Sequence, residues 1–375
     1  MAKNRSNTAT WCGFDLSTTG LAVGVRSSTG KEAYVNTKIR GANRWNRQPA
    51  FFLEQVPGMI LSLLKSLTEN GWQFHRTTLS FAVRQHDMAV LDRHGELLMP
   101  ALSWQCNAAE KQVKQLRDQG AEAIVGRIEE RFILPKLMWV LHTTGTLRRS
   151  ISEVTTTGDW IARMLTGKSR LSTSDAISNG LLVQQTKKLA EGVMRKAKLN
   201  PKWFPKVIQS GRPVGRVTDH KTQGADDDWM KVKEILKGAQ VIAGLGDNHA
   251  TGVGCGLEEK AYGTIVVSAG TSGTVNRVCP STVPLAGNAA CFEFYQDRML
   301  LMMLADCCSW YDSFVSQYAS RYADRLDELN SLAGRASLQN IRRILAGDGG
   351  VTYPPNWRSL SPGERAASTQ FSIML

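Results

Sequence analysis

No stretch of this sequence is apolar over the ~18 residues that a membrane-spanning helix needs; the apolar run at residues 299–305 is far too short. Residues 1–10 carry Lys3 and Arg5 with no apolar segment behind them. That is not the pattern of a secretory signal, so a cytoplasmic location is expected. No C-x-x-C occurs, and the seven cysteines (Cys12, Cys106, Cys255, Cys279, Cys291, Cys307, Cys308) are an odd number without histidines at zinc spacing. A disulfide framework and a structural zinc are therefore not expected, and the cysteines read as reduced thiols filling core positions. The adjacent pair Cys307-Cys308 falls on an expected helix, where neighbours point apart and rarely bridge. Short-period repeats and low-complexity tracts are also missing, which sets aside solenoids and linkers. Blocks of five like charges are missing too.

What is present is a composition of 42% apolar and 21% charged residues over 375 positions, enough for two domains that each bury a core. The net charge of +13 invites either a nucleic acid or a small anionic ligand. The densest basic stretch, residues 187–206, reads as an amphipathic helix and a turn: Leu189, Val193 and Ala197 recur every four residues while the lysines and arginines fall mainly elsewhere. A solvated basic face accounts for it, and no nucleic-acid partner is expected.

The first forty residues alternate strand and turn. Strands are predicted at residues 10–14, 21–25 and 32–38, an antiparallel meander. Helical spacing follows at Val56, Ile60, Leu63, Leu64 and Leu67, then strands at residues 78–83 and 88–92. Residues 107–180 are mostly helical. A second α/β pattern begins with a strand at 240–245, the turn Gly246-Asp247-Asn248 and a helix at 249–257. Strands at 264–268 and 274–278 then flank Ala269-Gly270-Thr271-Ser272-Gly273, echoing the layout of residues 10–25. The alternation points to an α/β fold.

Two hydroxyl-rich turns between strands stand out, Asp15-Leu16-Ser17-Thr18-Thr19-Gly20 and Gly270-Thr271-Ser272-Gly273. Such turns expose backbone N–H groups and hydroxyls suited to polyphosphate oxygens, and an aspartate at the head of one suits a water-bridged Mg²⁺. Hairpin chemistry alone also explains either turn. Asp247, at a strand end and a helix start, reads either as a helix cap or as a general base for an attacking hydroxyl. His86 lies in a loop, where it is either a structural hydrogen-bonder or a ligand contact. The spacing of Gly252-x-Gly254-x-Gly256, inside a helix, suits close packing and not a dinucleotide fingerprint.

In order and in content these pieces resemble the FGGY carbohydrate kinases. Residues 13–19, GFDLSTT, look like that family's first phosphate loop, G-I-D-x-G-T-S. GLGDNHA at 244–250 resembles G-x-G-D-N-A-A, and AGTSG at 269–273 resembles the second phosphate segment, L-G-T-S-G. DWIARMLTG at 159–167, Ser174-Asp175-Ala176, LPKLMW at 134–139 and SPGER at 361–365 are similar to further family stretches. Counted back from Val90-Leu91-Asp92, His86 falls on the histidine of the xylulokinase Q-M-H-G loop, where glycerol kinases carry Arg-Glu. The sequence departs from that loop at Asp87, in place of Gly, and from W-N-D-x-R at Trp104-Gln105-Cys106-Asn107-Ala108.

The resemblance implies an actin-like ATPase, ribonuclease H-like α/β fold of two domains with a cleft between them. A sugar-binding domain is expected at residues 8–253 and part of a nucleotide-binding domain at 254–375. It implies ATP-dependent phosphorylation of a ketopentose, D-xylulose to D-xylulose 5-phosphate. Asp247 would be the base and a substrate contact, with Gln85, His86 and Trp104 around the sugar. Ser17, Thr18, Thr19, Gly270, Thr271 and Ser272 would surround the ATP phosphates, and Asp15 would hold Mg²⁺ through water. The partner is a small sugar, with no membrane; a homodimer is compatible with the family. The family continues into a G-G-x-x-x-S segment not found before Leu375, so a fragment, a frameshifted product or a degenerate paralogue is expected. Three alternatives stay open: a non-catalytic kinase-fold protein that binds sugar, a kinase for another pentulose or polyol, and, motivated only by the +13 charge, a basic nucleic-acid binder.

Overall fold

The computed structural model of the protein describes residues 7–39, 43–258, 260, 262–269, 273–280, 290–294 and 297–304. It forms two compact units, the first holding the described residues up to Tyr262 together with 278–280, 290–294 and 297–299, the second holding 263–269, 273–277 and 300–304.

In the first unit, β1 (Asn7–Leu16) buries Cys12, Phe14 and Leu16 and turns Gly13 and Asp15 outward, the period of two of a strand with one packed face. It pairs antiparallel with β2 (Gly20–Ser27), and β2 with β3 (Glu32–Lys38), as the meander predicts. The chain then crosses through α1 (Val56–Glu69) and returns as β4 (Thr78–Val83), parallel to β1, with Asp15 opposite Ala82. Three later segments join the sheet, β5 (Pro213–Arg216), β6 (Gln240–Ile242) and β7 (Leu245–Gly246), and the short strand Trp72–Gln73 pairs with the start of β1. The strand order is β5-β6-β4-β1-β2-β3, and β7 runs parallel to the end of β4 with Leu245 also opposite Ala82. Asp15 and Leu245 thus flank one residue of β4, which sets the ends of three strands side by side.

The inner face of this sheet is closed by α1, whose Val56, Ile60, Leu63, Leu64 and Leu67 are buried at helical spacing. Each such side chain contributes about 1.5–3 kcal/mol of burial. Phe14 stacks on Phe81 across β1 and β4 with ring centroids 5.2 Å apart. Among the other helices are α2 (Ile133–Thr143), α3 (Thr157–Thr166), α4 (Thr173–Ser178), α5 (Asp227–Ile235) and α6 (Asp247–Gly254). Trp160 of α3 meets Trp229 of α5 edge to face at 5.6 Å. A second core gathers Leu102, Leu134, Leu137, Leu141, Val154, Leu181 and Val193 beneath the helical block. No described helix is long and apolar enough to cross a membrane.

Three local expectations are corrected. The basic stretch 187–206 is α-helical only over Glu191–Lys196, with a 3-10 turn at Pro201–Trp203, because Lys187 and Lys198 take left-handed backbone (φ 56° and 58°) that no helix continues through; Val193 and Ala197 are buried all the same. The strand expected at 240–245 breaks at Ala243, whose N–H and C=O bond to Arg212 and Gly211. Beside it a Cβ on Gly244 would lie 2.2 Å from the Phe81 carbonyl oxygen, so only glycine lets the chain pass β4 there. The edge strand β5 was not foreseen; its four residues, with Pro213 and Gly215 among them, carry no strand signal.

In the second unit, Ile265–Ala269 pairs antiparallel with residues 273–277 of the strand Gly273–Cys279, from Ile265 opposite Arg277 to Ala269 opposite Gly273. The strands expected on either side of the second hydroxyl-rich turn are present. Gly270, Thr271 and Ser272 themselves lie outside the described residues.

Candidate active site

At the ends of β1, β4 and β7 the chain places three loops together. After β1 comes the turn 17–20, after β4 the segment Arg84-Gln85-His86-Asp87, and after β7 the start of α6 at Asp247. A Cβ on Gly20 would lie 2.6 Å from the Thr37 carbonyl oxygen, and one on Gly246 2.3 Å from Cγ of Gln85, so glycine is required on both sides of this junction.

Asp247 is half-buried at the first position of α6, with Gly246 as the preceding cap. Its carboxylate accepts the Asn248 N–H at 2.9 Å and an N–H from Gln85. Burial pushes its pKa up to about 6; the two amides pull it down, and the charges of Asp87 and Asp15 push it up further. At pH 7 it is therefore mostly ionised yet far more basic than a free aspartate, as a proton acceptor requires. The carboxylate thus does not cap its helix in the usual way, since it bonds the next amide and not those of the following turn.

Gln85 braces this helix start. Its side-chain amide donates to His249 Nδ1 at 2.9 Å and accepts from Asn248 Nδ2 at 3.2 Å. Ser174 Oγ lies 3.2 Å from the same His249 nitrogen and accepts the Gly246 N–H at 3.3 Å. Burial lowers the His249 pKa to about 4, so the ring is neutral. The polar atoms of Gln85 are thus engaged within the protein.

His86 is buried, with left-handed backbone (φ 70°), and its ring stacks on Phe132 at 4.9 Å. Its Nδ1 lies 3.3 Å from Asn179 Oδ1, while Asn179 Nδ2 donates to the Asp175 carbonyl. An oxygen facing Nδ1 fixes the proton there and leaves Nε2 as an acceptor. Burial, then the charges of Arg131 and Lys136, hold the His86 pKa well below its usual value. The next residue, Asp87, is wholly buried, pairs with Arg84 Nε at 2.7 Å and accepts the Trp104 N–H at 2.9 Å. Trp104 in turn brings its indole N–H to 3.4 Å from the Thr18 hydroxyl. Burial raises the pKa of Asp87, against the pull of Arg84 and Lys136.

The first turn is closed on itself: Ser17 Oγ accepts the N–H groups of Thr19 and Gly20 at 3.3 and 3.1 Å. Thr18 and Thr19 are exposed, as is Asp15, whose pKa rises through partial loss of hydration. Asp15, Ser17, Thr18 and Thr19 line a cavity of about 800 Å³ together with Arg84, Ser103 and Gln105.

The structure therefore brings together Asp15, Ser17, Thr18 and Thr19 on the one hand and Gln85, His86 and Asp247 on the other, with Trp104 reaching between Asp87 and Thr18. Sequence reasoning passed over Arg84, Lys136 and Asn179. Arg84 and Asp87 could have been flagged as a pair, since opposite charges replace two positions of Q-M-H-G three residues apart. Nothing marked Asn179, which reaches His86 only through the fold.

Residues 10–254 match the FGGY family of carbohydrate kinases, N-terminal domain. The xylulose kinase of Streptomyces coelicolor is 29% identical over 206 residues, which cover 53% of this chain and 40% of that protein. The xylulose kinase of Lactococcus lactis is 24% identical over 292 residues, 75% of this chain and 56% of its own. The chain thus spans about half the length of these relatives. The crystal structure of xylulose kinase from Rhodospirillum rubrum superposes with a TM-score of 0.73 at 17% identity, over 87% of this chain and 68% of that one, which shows a shared actin-like ATPase fold.

Proposed function

Because this chain belongs to the FGGY family of carbohydrate kinases, with residues 10–254 matching the family's N-terminal domain, we propose that it serves ATP-dependent phosphorylation of a ketopentose, D-xylulose to D-xylulose 5-phosphate. The observation that carries the reading is Asp247, a carboxylate with its pKa pushed up to about 6 at the junction of the three loops. Residues 8–253 form the sugar-binding domain in this reading and 254–375 part of the nucleotide-binding domain.

Phosphoryl transfer asks the protein mainly for positioning and charge stabilisation. Asp247 accepts the proton of the attacking hydroxyl. The Gln85 and Asn248 amides keep its carboxylate aimed, and Gln85 also fixes the start of α6 through Asn248 and His249. Neutral His86 offers Nε2 to a sugar hydroxyl, and Trp104 supplies an apolar face. Thr18 and Thr19 are the exposed hydroxyls of the first turn and would meet phosphate oxygens, while Ser17 holds the turn. Gly270, Thr271 and Ser272 would supply the second phosphate contact.

Asp15 suits a Mg²⁺ ion. Its carboxylate is exposed beside hydroxyls, and the described residues hold no cluster of three acidic, histidine or cysteine groups that would form a closed metal cage. That is the donor set of an ion that keeps most of its water. When bound, the ion would neutralise phosphate charge.

Titration calorimetry of the whole chain with D-xylulose, D-ribulose and glycerol tests the acceptor class. Tightest binding of D-xylulose, lost in His86→Ala, supports the reading. Equal heats for glycerol and the pentuloses would remove the pentulose assignment.

A further inference from the structure

Lys136 of α2 is fully buried, in an interior that Leu or Met would fill without the penalty of desolvating an ammonium. Its Nζ instead donates to three backbone carbonyls, those of His86, Leu102 and Ser103, the last two at 3.3 Å. An ammonium has three N–H donors, and here there are three acceptors. Burial lowers the pKa to about 8, with Asp87 and Cys106 opposing and Arg131 and Arg84 reinforcing the change, so the group keeps its proton at neutral pH.

The acceptors come from two neighbouring segments, around His86 and around Leu102-Ser103. One is the His86 peptide, held at φ 70°, a strained conformation for a non-glycine residue that persists only where its surroundings enforce it. The other leads directly into Trp104. One turn of chain before Lys136, Phe132 stacks on the His86 ring. Two further ties join the same segments: Met88 and Leu102 exchange backbone hydrogen bonds at 3.0 Å, and Asp87 takes the Trp104 N–H and pairs with Arg84.

We propose that Lys136 is a positioning residue: by pinning the His86 and Ser103 carbonyls to one ammonium, it holds His86 and Trp104 in a fixed relation so that both address a single sugar. The tether rests on geometry alone; only the sugar as its beneficiary rests on the kinase reading.

The test uses Lys136→Ala in the whole chain, with propylammonium added to replace the deleted stem and ammonium, and 1-propanol as the uncharged control. Two quantities are read. Hydrogen exchange at residues 84–88 and 102–106 should rise about tenfold or more in both segments together, the scale of losing a charged hydrogen bond, while Thr78–Val83 and Val56–Glu69 stay protected. Affinity for D-xylulose should fall by about tenfold or more. Propylammonium should restore both, and propanol neither. Unchanged exchange, loosening of one segment alone, or a uniform rise across the chain overturns the proposal. If the alanine variant does not fold, Lys136→Met keeps the stem volume, and the same two-segment loosening decides. If the unaltered chain binds no pentulose, the sugar reading fails, and the exchange pattern alone settles the tether.

Discussion

Replacing Asp247 with asparagine should stabilise the protein at pH 8 while, on the proposed kinase reading, removing about 10²–10⁴-fold of turnover. The carboxylate has a folded pKa of about 6 against an ordinary 3.8. Between about pH 4 and pH 6 the native state therefore holds a proton that the unfolded chain has released, so stability falls as pH rises through that window and stays lower above it. The difference between the two values corresponds to a ceiling of roughly 3 kcal/mol. Relaxation around a half-buried group reduces this, and about 1–2 kcal/mol is expected. Asparagine keeps an oxygen for the Gln85 and Asn248 amides and carries no charge, so the penalty vanishes. The gain should read as a rise in Tm of about 2–6 °C at pH 8, shrinking to nothing near pH 4. Thermal melts of both proteins from pH 4 to pH 8 provide the assay. A lower Tm for the variant at pH 8, or a difference that does not change with pH, would refute the electrostatic picture of this site.

Three further outcomes are expected. Arg84→Gln leaves Asp87 buried without its ion-pair partner and should lower stability by about 2–4 kcal/mol in urea melts; adding Asp87→Gly should recover most of the loss, and strictly additive losses would count against a coupled pair. Gly246→Ala drives a Cβ into Gln85, and a loss of about 1–3 kcal/mol is anticipated by calorimetry, with unchanged stability contradicting the close approach. Asp159, buried where it accepts the Ser172 N–H and close enough to Asp175 to raise that neighbour's pKa, has its own pKa raised by burial; Asp159→Asn should therefore stabilise at pH 8 and give no gain at pH 4, and a gain at pH 4 would show that charge is not the cause.

The sheet was legible where alternation or helical spacing reports burial on one face. Residues 32–38 and 78–83 carry that signal clearly, and the apolar positions of α1 follow helical spacing from Val56 to Leu67. Pairing was not legible. That β4 lies between β1 and β7, so that Asp15 and Leu245 share Ala82, depends on contacts between segments more than 60 residues apart. The individual site residues could be named because Asp247, His86 and the first turn sit in motifs. Their burial and partners could not: Gln85 turned out to brace α6, and Ser17 to close its own turn, because side-chain hydrogen bonds are set by neighbours in space. Lys136 showed its role least of all. A lysine on a helix reads as solvated until the three carbonyls above it are seen.

Asp247 acting as a base toward a sugar hydroxyl is the step on which the kinase reading depends. Sugar-dependent ADP release by residues 1–375, measured with D-xylulose and ATP before and after Asp247→Asn, addresses it most directly. The expected result is release that requires the pentulose, follows an acid limb near pH 6 and drops by about 10²–10⁴-fold in the variant, the contribution of a general base. Pentulose-dependent release that survives the substitution, or no release with any pentulose, contradicts it.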